Sequence, residues 1–169
     1  MKKVSLFLAL ALCASSQAFA QLAKVQAGFI YNFTNYTEWQ EEDLGDAFVI
    51  GVFGNSNTTE ALRLLEGKRT IKNKPVFIKT YATIGQIGKC HILYIPRDRA
   101  GSLDLVISKI GTNATLIISE KDGLAALGAG ISFRMVNGKI AFDINPTAII
   151  KQRISVLPKL VSLANKSYK

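Results

Sequence analysis

The chain has 169 residues, 49% of them hydrophobic, and its 21 Lys and Arg against 12 Asp and Glu give a formal net charge of +9. That apolar fraction excludes an intrinsically disordered chain, and the length suits one domain with its own core. With two cysteines, a disulfide-stapled mini-domain is excluded as well.

Residues 1–20 read as a secretory signal rather than part of the fold. Lys2-Lys3 is a basic n-region, Val4 to Leu12 an apolar h-region, and Ala18-Phe19-Ala20 a small-x-small cleavage site before Gln21. A lipoprotein reading would use Leu10-Ala11-Leu12-Cys13, and the bulky Leu12 before the cysteine disfavours it. Cleavage after Ala20 makes residues 21–169 an exported, periplasmic domain. Cys90 is then its sole cysteine, so no intramolecular disulfide can form.

From Leu22 to Trp39 the periodicity is helical. Leu22, Val25, Gln26, Phe29, Phe33 and Tyr36 share one stripe at 100° per residue; Tyr31 falls opposite them and Trp39 at the stripe's edge. The acidic connector Glu41 to Asp46 precedes Phe48–Gly54 (FVIGVFG), an apolar run with no wet face, as expected of a central strand covered on both sides. A helix is expected from about Thr59 to Glu66. Lys68 to Lys74 is a basic turn, and Pro75 to Thr80 is a strand near an edge. Cys90 to Ile95 and Thr115 to Ser119 are further core strands, with a helix from Ser102 to Ile110 between them. Lys121 to Leu127 is a short helix ended by Gly128.

Asn137-Gly138 is a strong two-residue hairpin signal and fixes a register of Met135 with Ile140, Phe133 with Phe142 and Ile131 with Ile144. Asn145-Pro146 opens a short helix, and a last helix from Pro158 is expected to carry Leu160, Val161, Ala164 and Tyr168 at helical spacing. The predicted architecture is α/β: a single-domain sandwich with a mostly parallel central sheet, a C-terminal antiparallel β-hairpin and flanking helices.

Little here points to catalysis. His91 is the lone histidine, and its neighbour Cys90 should project from the opposite face of the strand. One His and one Cys cannot complete a zinc site, no calcium-loop spacing occurs, and there is neither a nucleophile elbow nor a Walker lysine. The expectation is a protein that is not an enzyme and has no cofactor and no metal. The basic stretch Lys68, Arg69, Lys72, Lys74 and Lys79 reads as a solvated loop and edge strand, with anionic lipid or an acidic partner surface as the functional alternative; export argues against nucleic acid. Two places could bind something. The loop after Phe48–Gly54 offers Asn55, Ser56 and Thr58 as a ligand loop, or as a turn and helix cap. Tyr31 and Trp39, outside the buried stripe, could anchor a protein partner or pack within the domain.

Taken together, FIYNFTNYTEW (29–39), FVIGVFG (48–54), GKRTIKNKPVFIK (67–79), CHILYIP (90–96), LIISEKDG (116–123), GISFRMVNGKIAFDIN (130–145) and LPKLVSLA (157–164) resemble the YfiR family of periplasmic proteins, in order across nearly all of residues 21–169. The resemblance implies a YfiR-like repressor of an inner-membrane signalling protein, a diguanylate cyclase or a sensor kinase. It further implies possible sequestration by an outer-membrane lipoprotein, effects on cyclic-di-GMP and biofilm, and a tendency to form a homodimer. Two departures stand out: the paired cysteines of several members are reduced to Cys90, and Leu157 replaces a serine often found before the Pro-Lys. The second loses a helix cap worth about 1 kcal/mol and offers an apolar side chain to a partner.

Overall fold

The structure is a computed structural model that describes residues 20–169. The expected signal segment, apart from Ala20, lies outside the described residues. Residues 20–33 are helical (α1). The helix is shorter than its periodicity suggests, because Thr34 Oγ1 donates to the Tyr31 carbonyl at 2.6 Å and Thr37 Oγ1 to the Phe33 carbonyl at 2.9 Å. These local bonds compete with further helical turns. The chain instead enters a two-residue strand, β1 (Thr37–Glu38), then a one-turn helix, α2 (Glu41–Leu44), within the acidic connector.

Next come β2 (Phe48–Phe53), α3 (Asn57–Arg63), β3 (Thr70–Ile71), β4 (Lys74–Tyr81), β5 (Ile92–Ile95), α4 (Leu103–Ile110) and β6 (Leu116–Ser119). The chain ends with β7 (Ile131–Val136), β8 (Lys139–Ile144), α5 (Pro146–Lys151), β9 (Ser155–Val156), α6 (Pro158–Leu163) and β10 (Lys166–Ser167). Short 3₁₀ turns at Ile84–Gln86, Arg97–Ser102 and Leu124–Leu127 complete the path; the last occupies the place expected of a helix and ends at Gly128, with φ of 109°.

Eight strands form one sheet in the order β10-β8-β7-β6-β5-β2-β4-β3, and β1 pairs with β9 in a small antiparallel sheet. The block β4-β2-β5-β6-β7 is parallel throughout. Numbered from β2, its order is 2-1-3-4-5, the flavodoxin-like arrangement. Strand β4 lies one place from the edge, with only β3 outside it. The hairpin register is the one set by Asn137-Gly138: Met135 opposite Ile140, Phe133 opposite Phe142 and Ile131 opposite Ile144.

Alternate strand residues feed two cores. Phe48, Ile50, Val52, Ile92, Tyr94, Leu116 and Ile118 face α1, α3, α5 and α6. Phe53, Leu93, Ile95 and Ile117 face α4 and the 3₁₀ turns. Between the two cores, Gly51 leaves room for close packing: a Cβ there would stand 2.7 Å from the Tyr81 ring and 3.2 Å from Cys90 Sγ.

Three aromatic side chains bear on the expectations from periodicity. Trp39 is buried at 7% exposure, stacked edge-on against Phe48 at 5.1 Å, and its Nε1 donates to the Ala114 carbonyl at 2.9 Å. The helix ends before Trp39, so the stripe does not reach it, and Trp39 is a core residue rather than an exposed anchor. Tyr31 is half-buried against the core, with its hydroxyl donating to the Thr70 carbonyl at 3.4 Å. Finally, α6 stops at Leu163, so Tyr168 is not on a helix. Residues 166–167 pair in parallel with β8, and Asp143 holds the tail through Asn165 Nδ2 at 3.2 Å and the Tyr168 hydroxyl at 3.5 Å. The open edge of the hairpin captures the tail and satisfies its backbone groups.

Candidate functional site

In an open parallel sheet, loops at the strands' carboxyl ends diverge where the strand order reverses, here between β2 and β5. A cleft of about 440 Å³ opens there, lined by Asn55, Ser56 and Thr58 after β2, Arg97 after β5, Glu120 after β6 and Gln26 of α1. The loop's own hydroxyls are engaged within the protein. Ser56 is the N-cap of α3 and its Oγ accepts from the Thr58 amide at 3.1 Å. Thr58 is buried and its Oγ1 donates to Gln26 Oε1 at 2.7 Å, with the Tyr94 hydroxyl 3.3 Å away. Burial pushes the Tyr94 phenol well above its ordinary range, so it stays protonated as part of this neutral network. Asn55 remains exposed.

His91 and Cys90 are held apart. Cys90 packs on the α4 side of the sheet, where burial pushes its thiol up to about 12. His91 lies on the other side, stacked on Phe48 at 4.5 Å. Its Nδ1 accepts from the Val49 amide at 2.9 Å, which leaves Nε2 to carry the proton toward the Asp43 carbonyl at 3.1 Å. Burial lowers the imidazole's affinity for a second proton. Neither group is placed to activate the other, and among the described residues no set of three His, Cys, Asp or Glu side chains is gathered for a metal.

An aromatic groove lies elsewhere. At the C-terminal end of α1, Phe29, Phe33 and Phe142 line a groove of about 360 Å³ together with Tyr36, Leu160 and Leu163 and the polar Asn32 and Asn35. Phe33 meets Phe142 at 4.8 Å and Phe29 meets Phe33 at 5.9 Å, so the floor is an interlocked aromatic cluster. Leu163 is 51% exposed and Leu157 37%. Leu157 is the N-cap of α6 without a side-chain cap bond, and its amide donates to the Tyr36 carbonyl at 2.9 Å, which ties the start of α6 to the end of α1. Leu157 is thus on the surface next to Tyr36, outside the lining of the groove itself. Tyr36 belongs to the stripe read from the sequence, whereas Leu163 does not follow from it; Leu160 and Leu163, three residues apart, share one side of α6.

A family model described as YfiR/HmsC-like matches residues 23–165. The chain belongs to the YfiR/HmsC-like family. The family is one of periplasmic regulatory proteins, and no helix among the described residues is long and apolar enough to cross a membrane. No curated protein matches the chain. Six solved chains do, among them the crystal structure of a conserved domain protein from Vibrio cholerae, with a TM-score of 0.54 at 14% identity over 86% of this chain. At that identity the likeness is one of fold, and the match covers 60% of the Vibrio chain's length.

Proposed function

We propose that this YfiR/HmsC-like protein is a non-catalytic periplasmic regulator. It docks on the periplasmic part of an inner-membrane signalling protein, a diguanylate cyclase or sensor kinase, and lowers that protein's output. An outer-membrane lipoprotein competing for the regulator is part of the same reading, as are the effects on cyclic-di-GMP and biofilm. The observation that supports it is the aromatic-floored groove between α1 and α6, with Leu163 exposed in its lining and Leu157 exposed next to Tyr36. Desolvated aromatic and aliphatic anchors of this kind carry most of the energy in protein interfaces. Among the described residues, the Ser56 and Thr58 hydroxyls are engaged within the protein, and His91 and Cys90 lie on opposite sides of the sheet.

A photo-crosslinking residue placed at Leu163 in the living cell tests the docking face. Crosslinks to an inner-membrane protein with a cyclase or kinase domain are expected. Crosslinks to that protein from a probe at Phe77, on the far edge of the sheet, with none from Leu163, would contradict it.

A further inference from the structure

A second cleft lies on the other flank of the Gly54–Asn57 loop, between the carboxyl ends of β2 and β4. It encloses about 590 Å³ and draws Gly54, Thr59, Arg63, Thr80 and Arg99 together from four separate segments. Both guanidiniums are loosely held. Arg63 stands 3.9 Å from Glu60 and 3.9 Å from Glu66, and Arg99 stands 3.7 Å from Asp98, all too long for hydrogen bonds. Arg99 is positioned by packing instead: its guanidinium sits 5.4 Å above the Phe53 ring, and its stem crosses Gly54, where a Cβ would meet Arg99 Cγ at 3.1 Å. Gly54 has φ of 99°, a conformation that also favours glycine, so the backbone turn and the arginine's seat are set by one residue.

The second observation is Thr59. Its side chain is buried, at 1% residue exposure, lines this cleft, and its Oγ1 has no hydrogen-bond partner among the described residues. A buried hydroxyl left unpaired is costly, and such a group calls for a partner. Glu60, 79% exposed on its side chain, is the single carboxylate of the lining; Glu66 and Asp98 flank the two guanidiniums from outside it, beyond hydrogen-bond distance, so both arginines keep their donors free for a ligand.

We propose that this cleft binds a small phosphate-bearing ligand, with Arg63 and Arg99 as the charge-matched donors and Thr59 donating its free hydroxyl. Guanidinium forks match the geometry and charge of phosphate oxygens better than they match a neutral ligand. The site is distinct from the groove between α1 and α6 and goes beyond the regulatory reading; neither depends on the other.

Inorganic phosphate is the probe. Calorimetric titration and thermal melts of residues 21–169 at constant ionic strength, with chloride as the balancing anion, should show saturable phosphate binding and a rising midpoint. Arg63→Gln and Arg99→Gln should each weaken the phosphate affinity at least tenfold. Thr59→Val should weaken it severalfold while leaving the ligand-free melting midpoint equal or higher, a pairing that mere loss of structure would not produce. Glycerol phosphate in solution and vesicles containing phosphatidylglycerol separate a free ligand from a lipid headgroup; binding to either, with the same loss in the arginine variants, supports the site. Midpoints that follow ionic strength alone, an equal response to succinate, or arginine variants that bind phosphate as the parent does would overturn it.

Discussion

Replacing Trp39 distinguishes a core role from a surface role. Its indole sits against Phe48, is 7% exposed, and gives its one N–H to the Ala114 carbonyl. Trp39→Phe keeps most of the ring contact but strands that buried carbonyl, which costs about 1–3 kcal/mol. Trp39→Ala also opens a cavity beneath α2 and β2, for a loss of about 3–5 kcal/mol. Trp39 is the only tryptophan, so its fluorescence disappears with the substitution and urea unfolding is better followed by far-UV circular dichroism. With a typical urea dependence, a loss of about 2 kcal/mol moves the midpoint by roughly 1 M. An exposed anchor would behave like other surface positions, changing stability by no more than about 0.5 kcal/mol. A Trp39→Phe midpoint within that margin of the parent would refute the packing argument.

Other outcomes follow from the same physics. His91 is held neutral by burial, and its native affinity for a proton is lowered, so the unfolded chain takes up that proton first. The stabilisation it supports is therefore present above about pH 6.5 and lost as pH falls below it, and His91→Gln should flatten the stability profile in that window. Asp143, fully buried and ion-paired with Arg134 at 3.1 Å, anchors the C-terminal tail, so Asp143→Asn should cost about 3 kcal/mol and speed amide exchange at residues 165–168. Gly51→Ala, whose Cβ would press on Tyr81, Leu93 and Cys90, should cost about 1–3 kcal/mol by overpacking, measured by chemical unfolding.

What the sequence disclosed was what local chemistry decides. Asn137-Gly138 together with alternating apolar residues set a hairpin register that agrees with the structure pair by pair. Apolar runs such as Phe48–Gly54 announced central strands, and Asn145 caps α5 as read, its Oδ1 accepting from the Ala148 amide at 2.9 Å. The errors arose where periodicity was extended without its stop signals. Thr34 and Thr37, which turn back onto the carbonyls of α1, could have marked the helix end and moved Trp39 into the core. The strand at 166–167 was not visible, because only the hairpin's unpaired edge creates it. The clefts were hidden for a similar reason: Thr59, Arg63 and Arg99 converge only through strand order, and Leu163 comes to line one groove with Phe29 and Phe142 only through the placement of α6 beside α1.

If the α1–α6 groove is the docking face proposed above, a charge placed in it should break regulation. The most direct measurement is complementation of a deletion strain with the parent or with Leu163→Glu, reading intracellular cyclic-di-GMP and kinase output at matched protein levels. A charge buried in an apolar interface without a partner is strongly unfavourable, so the parent should restore repression and Leu163→Glu should not, with its fold and urea midpoint unchanged. Repression by Leu163→Glu equal to the parent's, or outputs that ignore the deletion altogether, would contradict it.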